Sequence, residues 1–121
     1  MREVTFDLPM PPSVNAMFAN GGGKYGRSKT KLYKDWIRNA GWMLVTQRNV
    51  AGPHKRFDCD VEVVVRAYRV NKNRDLDNIL KAIMDLLTGT QTIVDDSKVV
   101  SIDAKWVDAG VPCAVTVREA Q

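Results

Sequence analysis

Apolar and polar residues alternate from Val4 to Leu8, the pattern of a short strand. Three prolines, Pro9, Pro11 and Pro12, then forbid regular pairing, because proline lacks the ladder donor. Leu32, Trp36, Ala40 and Leu44 recur every four residues, with Tyr33, Ile37 and Met43 beside them. This predicts a helix from about Ser28 or Thr30 to Arg48, ended by Gly52-Pro53. Trp36 and Trp42 read as core or subunit-interface residues rather than base-stacking groups. Cys59 to Val70 reads as the clearest strand: Val61, Val63, Val65 and Ala67 line one face, and Glu62, Arg66 and Tyr68 interrupt the other. A second helix is expected from Asp77 to about Thr88, with Ile79, Leu80, Ile83, Leu86 and Leu87 as its apolar stripe. Gly89 stands where a C-cap glycine belongs. Val99–Val107 and Ala114–Val117 read as two further strands, joined by a turn at Asp108-Ala109-Gly110.

The order strand, helix, strand, helix, strand, strand predicts an α/β (α+β) fold. A mixed sheet of about four strands carries two main helices. At 121 residues the chain is expected to form a single domain over residues 1–121. Hydrophobic residues make up 45% and charged residues 26%, a globular composition that argues against disorder. No apolar run approaches the ~20 residues of a membrane span, and no signal-peptide pattern precedes the first strand. A cytoplasmic, soluble protein with no membrane partner is expected. Cys59 and Cys113 form no metal-ligand pattern with His54, so they are read as two thiols in a reducing compartment.

Charge changes this picture modestly. The net charge is +4, which permits an anionic partner without requiring one. The cations concentrate in the loose segment from Asn20 to Thr30, where Gly21-Gly22-Gly23 is accompanied by Lys24, Arg27 and Lys29, with Lys31 just beyond. It reads either as an ordinary surface loop or as a basic flap that closes on a phosphate backbone.

The candidate chemistry is acidic. Asp75 and Asp77 are two residues apart, and in an extended segment side chains at i and i+2 point the same way. Asp77 also stands where a helix cap belongs. A third acidic group, Asp95-Asp96, precedes Ser97-Lys98-Val99. Two unit charges about 4 Å apart repel by about 4 kcal/mol at an effective dielectric of about 20. A converging set of carboxylates therefore needs raised pKa values or a bound cation. Oxygen ligands of this kind suit Mg²⁺ or Mn²⁺, ions that polarise a phosphoryl group and generate hydroxide near neutral pH. Lys81 lies one helical turn beyond Asp77, either as a surface ion pair or as an ammonium that stabilises a phosphoryl transition state. Asp85 is ~12 Å from Asp77 along the helix axis at ~1.5 Å per residue, too far to share a metal. It reads as structural or as a partner of Lys81.

The run Arg74-Asp75-Leu76-Asp77-Asn78-Ile79-Leu80-Lys81, followed by Asp85 and then Val94-Asp95-Asp96-Ser97-Lys98-Val99-Val100, resembles the signature of the RusA-type endodeoxyribonucleases. The opening Leu8-Pro9-Met10-Pro11-Pro12-Ser13-Val14-Asn15 is similar to that family's start. The resemblance implies a homodimeric, Mg²⁺-dependent enzyme that resolves four-way (Holliday) junctions by paired, symmetric nicks. It implies that Asp75, Asp77 and Asp96 are essential acidic residues of the metal site and that Lys81 is catalytic. Arg74 and Asp95 match positions associated with junction DNA, and a phage or prophage origin is implied as plausible.

Two other readings use the same residues. A non-catalytic dimeric DNA-binding protein would employ Lys24, Arg27, Lys29, Lys31, Lys72 and Arg74 and keep the aspartates for structure. A small α/β interaction protein would have no nucleic-acid role at all.

Overall fold

The computed structural model describes residues 2–13, 18–20, 27–51, 56–69 and 75–120. Strand β1 (Glu3–Leu8) is followed by a small antiparallel hairpin, β2 (Phe18–Asn20) and β3 (Arg27–Lys29). Helix α1 (Lys31–Ala51), strand β4 (Val61–Tyr68), helix α2 (Asp77–Gly89), a 3₁₀ turn (Asp96–Lys98), β5 (Val99–Val107) and β6 (Cys113–Glu119) complete the chain. The main sheet has the order β1-β6-β4-β5. β4 and β5 run parallel, and the other neighbours run antiparallel. This is the mixed four-stranded sheet with two helices that the pattern predicts.

Alternation builds the core. Val4, Phe6 and Leu8 are buried while Glu3, Thr5 and Asp7 face out. The register lays apolar rows across three strands: Phe6, Val115 and Val65 in one, and Val4, Val117 and Val63 in the next. Tyr33, Trp36, Ala40 and Leu44 of α1 join these rows in one cluster, as do Ile79, Ala82, Ile83, Leu86 and Leu87 of α2. Each such side chain, taken out of water, contributes roughly 1.5–3 kcal/mol of transfer free energy against the entropy of ordering.

Several details differ from the expectations. The segment 20–30, read as a loose loop, carries β3, paired to β2 in strands of only three residues each. Among the tryptophans, Trp36 is buried and donates its indole N–H to the Pro9 carbonyl at 3.0 Å, whereas Trp42 is 76% exposed. The buried stripe of α1 begins at Tyr33, and Leu32 faces out. Helix α2 runs through Gly89, and Thr90 takes the cap position, its N–H bonding to the Leu86 carbonyl. Gln91, not a glycine, adopts the left-handed backbone at φ 58°.

The chain leaving α2 is tied down from the other helix. Arg48 of α1 is buried and donates to the Thr90 carbonyl at 2.7 Å and to the Thr92 hydroxyl at 3.0 Å. Phe57 and Ile93 then form a parallel bridge that leads the chain toward β5. These contacts set where Asp95 and Asp96 stand.

Candidate functional site

The start of α2 is turned, not extended. Leu76 has helical φ and ψ (−62°, −40°), and the Asn78 N–H donates to the Asp75 carbonyl at 3.1 Å. At about 100° per residue, positions two apart in a helical turn diverge by about 200°. Asp75 and Asp77 therefore do not share a face through an extended backbone, contrary to the expectation from their spacing. Asp77 is the first helical residue and Leu76 occupies the cap position, with no side-chain cap among the described residues. Both carboxylates are exposed, and the one on Asp77 favours the positive end of the helix dipole.

Asp77, Lys81 and Asp85 recur every four residues along one exposed face of α2. The Lys81 ammonium pairs with Asp85 at 3.4 Å, one of the two roles expected for Asp85. The same carboxylate oxygen of Asp85 accepts the Tyr33 hydroxyl at 3.0 Å. Burial, and then the Asp85 carboxylate, push the Tyr33 phenol well above its ordinary value, so it remains a donor. Asp85 is thus held from α1 while it holds Lys81.

Beside this link lies an open cleft of about 430 Å³. Tyr33, Ile37 and Leu86 give it an apolar floor, and Lys29, Asp85, Asp95 and Asp96 give it a charged rim. The Lys29 ammonium lies 5.8 Å from the centroid of the Tyr33 ring, a cation–π distance. Asp95 is extended and Asp96 opens the 3₁₀ turn. The Asp95 carboxyl is held below its ordinary value, chiefly by the Ser97 hydroxyl at 2.8 Å and next by the Asp96 side chain.

The chain thus brings Lys29, Asp85, Asp95 and Asp96 to one cleft, with Lys81 tied to it through Asp85, and neither Asp75 nor Asp77 lines it. Topology gives the reason. β4, α2 and β5 form a strand–helix–strand unit with parallel strands, so α2 runs back against the strand direction. Asp75 and Asp77 mark the start of α2, whereas the cleft takes Leu86, Thr88 and Gly89 from its last turn. The two ends of a 13-residue helix are about 18 Å apart at 1.5 Å per residue. Among the described residues, no three His, Cys, Asp or Glu side chains stand close enough together to hold a metal ion. The donor chemistry suits a hard divalent cation, since Asp75, Asp77 and Asp96 are exposed carboxylates, but one chain in this arrangement does not gather all three.

Of the remaining candidates, Lys24, Lys72 and Arg74 lie outside the described residues. Arg27 is placed on β3 by its backbone pairing with Asn20. Sequence reasoning missed the part played by Tyr33, which lies 52 residues from Asp85 in the chain and reads only as core.

Fold and site together define a small α+β domain with an acidic face along a strand–helix–strand crossover and a cation on the cleft rim. The family model described as endodeoxyribonuclease RusA matches residues 9–118, most of the chain. The protein belongs to the RusA endodeoxyribonuclease family and is a nuclease in class. No curated protein matches it. No helix among the described residues is long and apolar enough to cross a membrane.

Proposed function

We propose that the protein is a Mg²⁺-dependent, homodimeric endonuclease that resolves four-way DNA junctions by paired symmetric nicks, with Mn²⁺ able to substitute. The observation that carries this reading is the family match over residues 9–118, which spans both acidic segments and Lys81. Acting on DNA inside the cell, such an enzyme is cytoplasmic, and a phage or prophage origin suits the family.

Asp75, Asp77 and Asp96 would hold the ion. It would supply Lewis acidity at the scissile phosphoryl group and activate water. Lys81, steadied by Asp85, would offer its ammonium to the negative charge that grows on the phosphoryl oxygens. Lys24, Arg27, Lys29, Lys72 and Arg74 would bind phosphates, with Asp95 positioning the junction beside Asp96.

A second copy answers the separation of the carboxylates. A two-fold dimer offers two sites to a two-fold junction, and Asp96 of one chain would meet Asp75 and Asp77 of the other. The test is cleavage of an end-labelled four-way junction. Mg²⁺ should give symmetric nicks, EDTA should stop them, and Asp77→Asn or Asp96→Asn should each lower the rate by at least a hundredfold. Wild-type protein that cuts no branched DNA in Mg²⁺ or Mn²⁺ contradicts the reading and favours a non-catalytic DNA-binding dimer.

A further inference from the structure

The two edges of the main sheet are finished differently. β1 is closed by a side chain: the Asp7 N–H donates to Gln47 Oε1 at 2.7 Å, and Gln47 Nε2 donates to the Asp7 carbonyl at 2.8 Å. The α1 amide thus stands in for the next strand. β5, nine residues long, is the opposite edge, with β4 as its only strand partner among the described residues. An edge of this length is a template for another strand unless something blocks it.

Part of the apolar face of β5 also lacks cover, although Val99, Ala104 and Trp106 pack against the core. Ile102, Ala104 and Trp106 lie opposite Val63, Val65 and Ala67 and so share the helix-bearing face of the sheet. The three β4 residues are fully buried, yet Ile102 opposite Val63 is 45% exposed. The apolar face continues past where the helices of one chain cover it.

We infer that β5 is the seam between two copies of this chain, paired antiparallel about a two-fold axis at Ala104. The inference rests on the dimeric reading above but names the surface and the register. The sequence Ile102-Asp103-Ala104-Lys105-Trp106 is complementary to its own reverse. Centred on Ala104, pairing sets Asp103 opposite Lys105 of the second copy, twice, on the outer face. It sets Ile102 opposite Trp106, twice, on the apolar face, where directly opposed side chains interact most strongly. A register centred on Asp103 would oppose aspartate to aspartate, and one centred on Lys105 would oppose lysine to lysine. An intermediate register would turn one apolar face to the outside. Of the registers centred on Asp103, Ala104 and Lys105, charge and face favour the one at Ala104.

Neighbouring groups support it. Arg66 of β4 already binds Asp103 through two nitrogens, at 3.3 and 3.1 Å, and Asp103 remains 52% exposed on its side chain. It can take a second cation from across the seam. Antiparallel pairing also runs the Asp96 end of one β5 toward the far end of the other, where α2 of that copy begins. The second copy is thus set where the proposed site calls for it.

The test is a covalent trap with a charge swap. Ala104→Cys should oxidise to a disulfide-linked dimer, since Cβ atoms of a directly opposed pair are about 4.5–5.5 Å apart. Wild type, with Cys59 and Cys113, is the control and should stay uncrosslinked. Should Ala104→Cys not fold, the pair Ser101→Cys with Val107→Cys tests the same register. By sedimentation, Lys105→Asp should raise the dimer dissociation constant at least tenfold, and adding Asp103→Lys should recover most of that loss. A wild-type dimer that neither variant crosslinks overturns the seam and points to another face, such as the one bearing Trp42. A monomeric wild type overturns it as well. Cleavage separates the two proposals: a crosslinked dimer that cuts nothing keeps the seam and removes the nuclease reading, and an uncrosslinked dimer that cuts junctions does the reverse.

Discussion

The Tyr33 hydroxyl donates to the Asp85 carboxylate at 3.0 Å, and that carboxylate carries the Lys81 ammonium at 3.4 Å. The first helix therefore sets the aim of a lysine on the second.

Removing only the hydroxyl tests this link. Tyr33→Phe keeps the buried ring and deletes one hydrogen bond, so urea unfolding should show a loss of about 1 kcal/mol. Junction cleavage should fall several-fold more than junction binding, because Lys81 loses its orientation and not its charge. Equal losses in binding and cleavage would assign Tyr33 to packing alone.

Arg48 should matter for stability and for the placement of Asp95 and Asp96. Arg48→Ala leaves the Thr90 carbonyl and the Thr92 hydroxyl without this donor. Hydrogen bonds to charged groups contribute about 1.5–3 kcal/mol, so a loss of about 2–4 kcal/mol in chemical denaturation is expected. Arg48→Lys should recover only part of it, since an ammonium cannot reproduce the planar fork.

The cysteines should separate by reactivity. Cys113 is buried on β6 between β1 and β4, and desolvation pushes its thiol up to about 12. At pH 8 it is almost wholly protonated in the native state, and only the thiolate is the nucleophile. Native alkylation read by mass spectrometry should modify half-buried Cys59 first and reach Cys113 only in denaturant.

Acid should destabilise the chain through its ion-paired carboxylates. Arg66 holds Asp103, and Arg2 holds Glu119, below their ordinary values. A carboxyl depressed on folding stabilises the native state above its unfolded pKa, and that contribution is lost as pH falls through the lower, folded value. Thermal unfolding should thus show melting temperature declining below about pH 4, near the ordinary aspartate value of 3.8. Asp103→Asn should make that decline shallower.

Much of the fold was legible because its signals are local. Strict alternation from Val61 to Ala67 and the 3.6-residue stripe from Ile79 to Leu87 announce β4 and α2 directly. The β2–β3 hairpin was not, since three-residue strands with basic residues give no period to read. At the site, local reasoning went astray. Asp75 and Asp77 look like neighbours in an extended chain, but the helical backbone of Leu76 turns them apart. The link from Tyr33 to Asp85 and the free edge of β5 arise only when distant segments meet, and no spacing in the sequence encodes them.

Whether two chains complete one site is tested by mixing two inactive variants. Asp77→Asn and Asp96→Asn should each fail to nick a four-way junction in Mg²⁺. Combined and allowed to exchange subunits, they should regain nicking, because each mixed dimer rebuilds one site with Asp77 from one chain and Asp96 from the other. A mixture that stays inactive while wild type cuts, with subunit exchange demonstrated, would contradict the account.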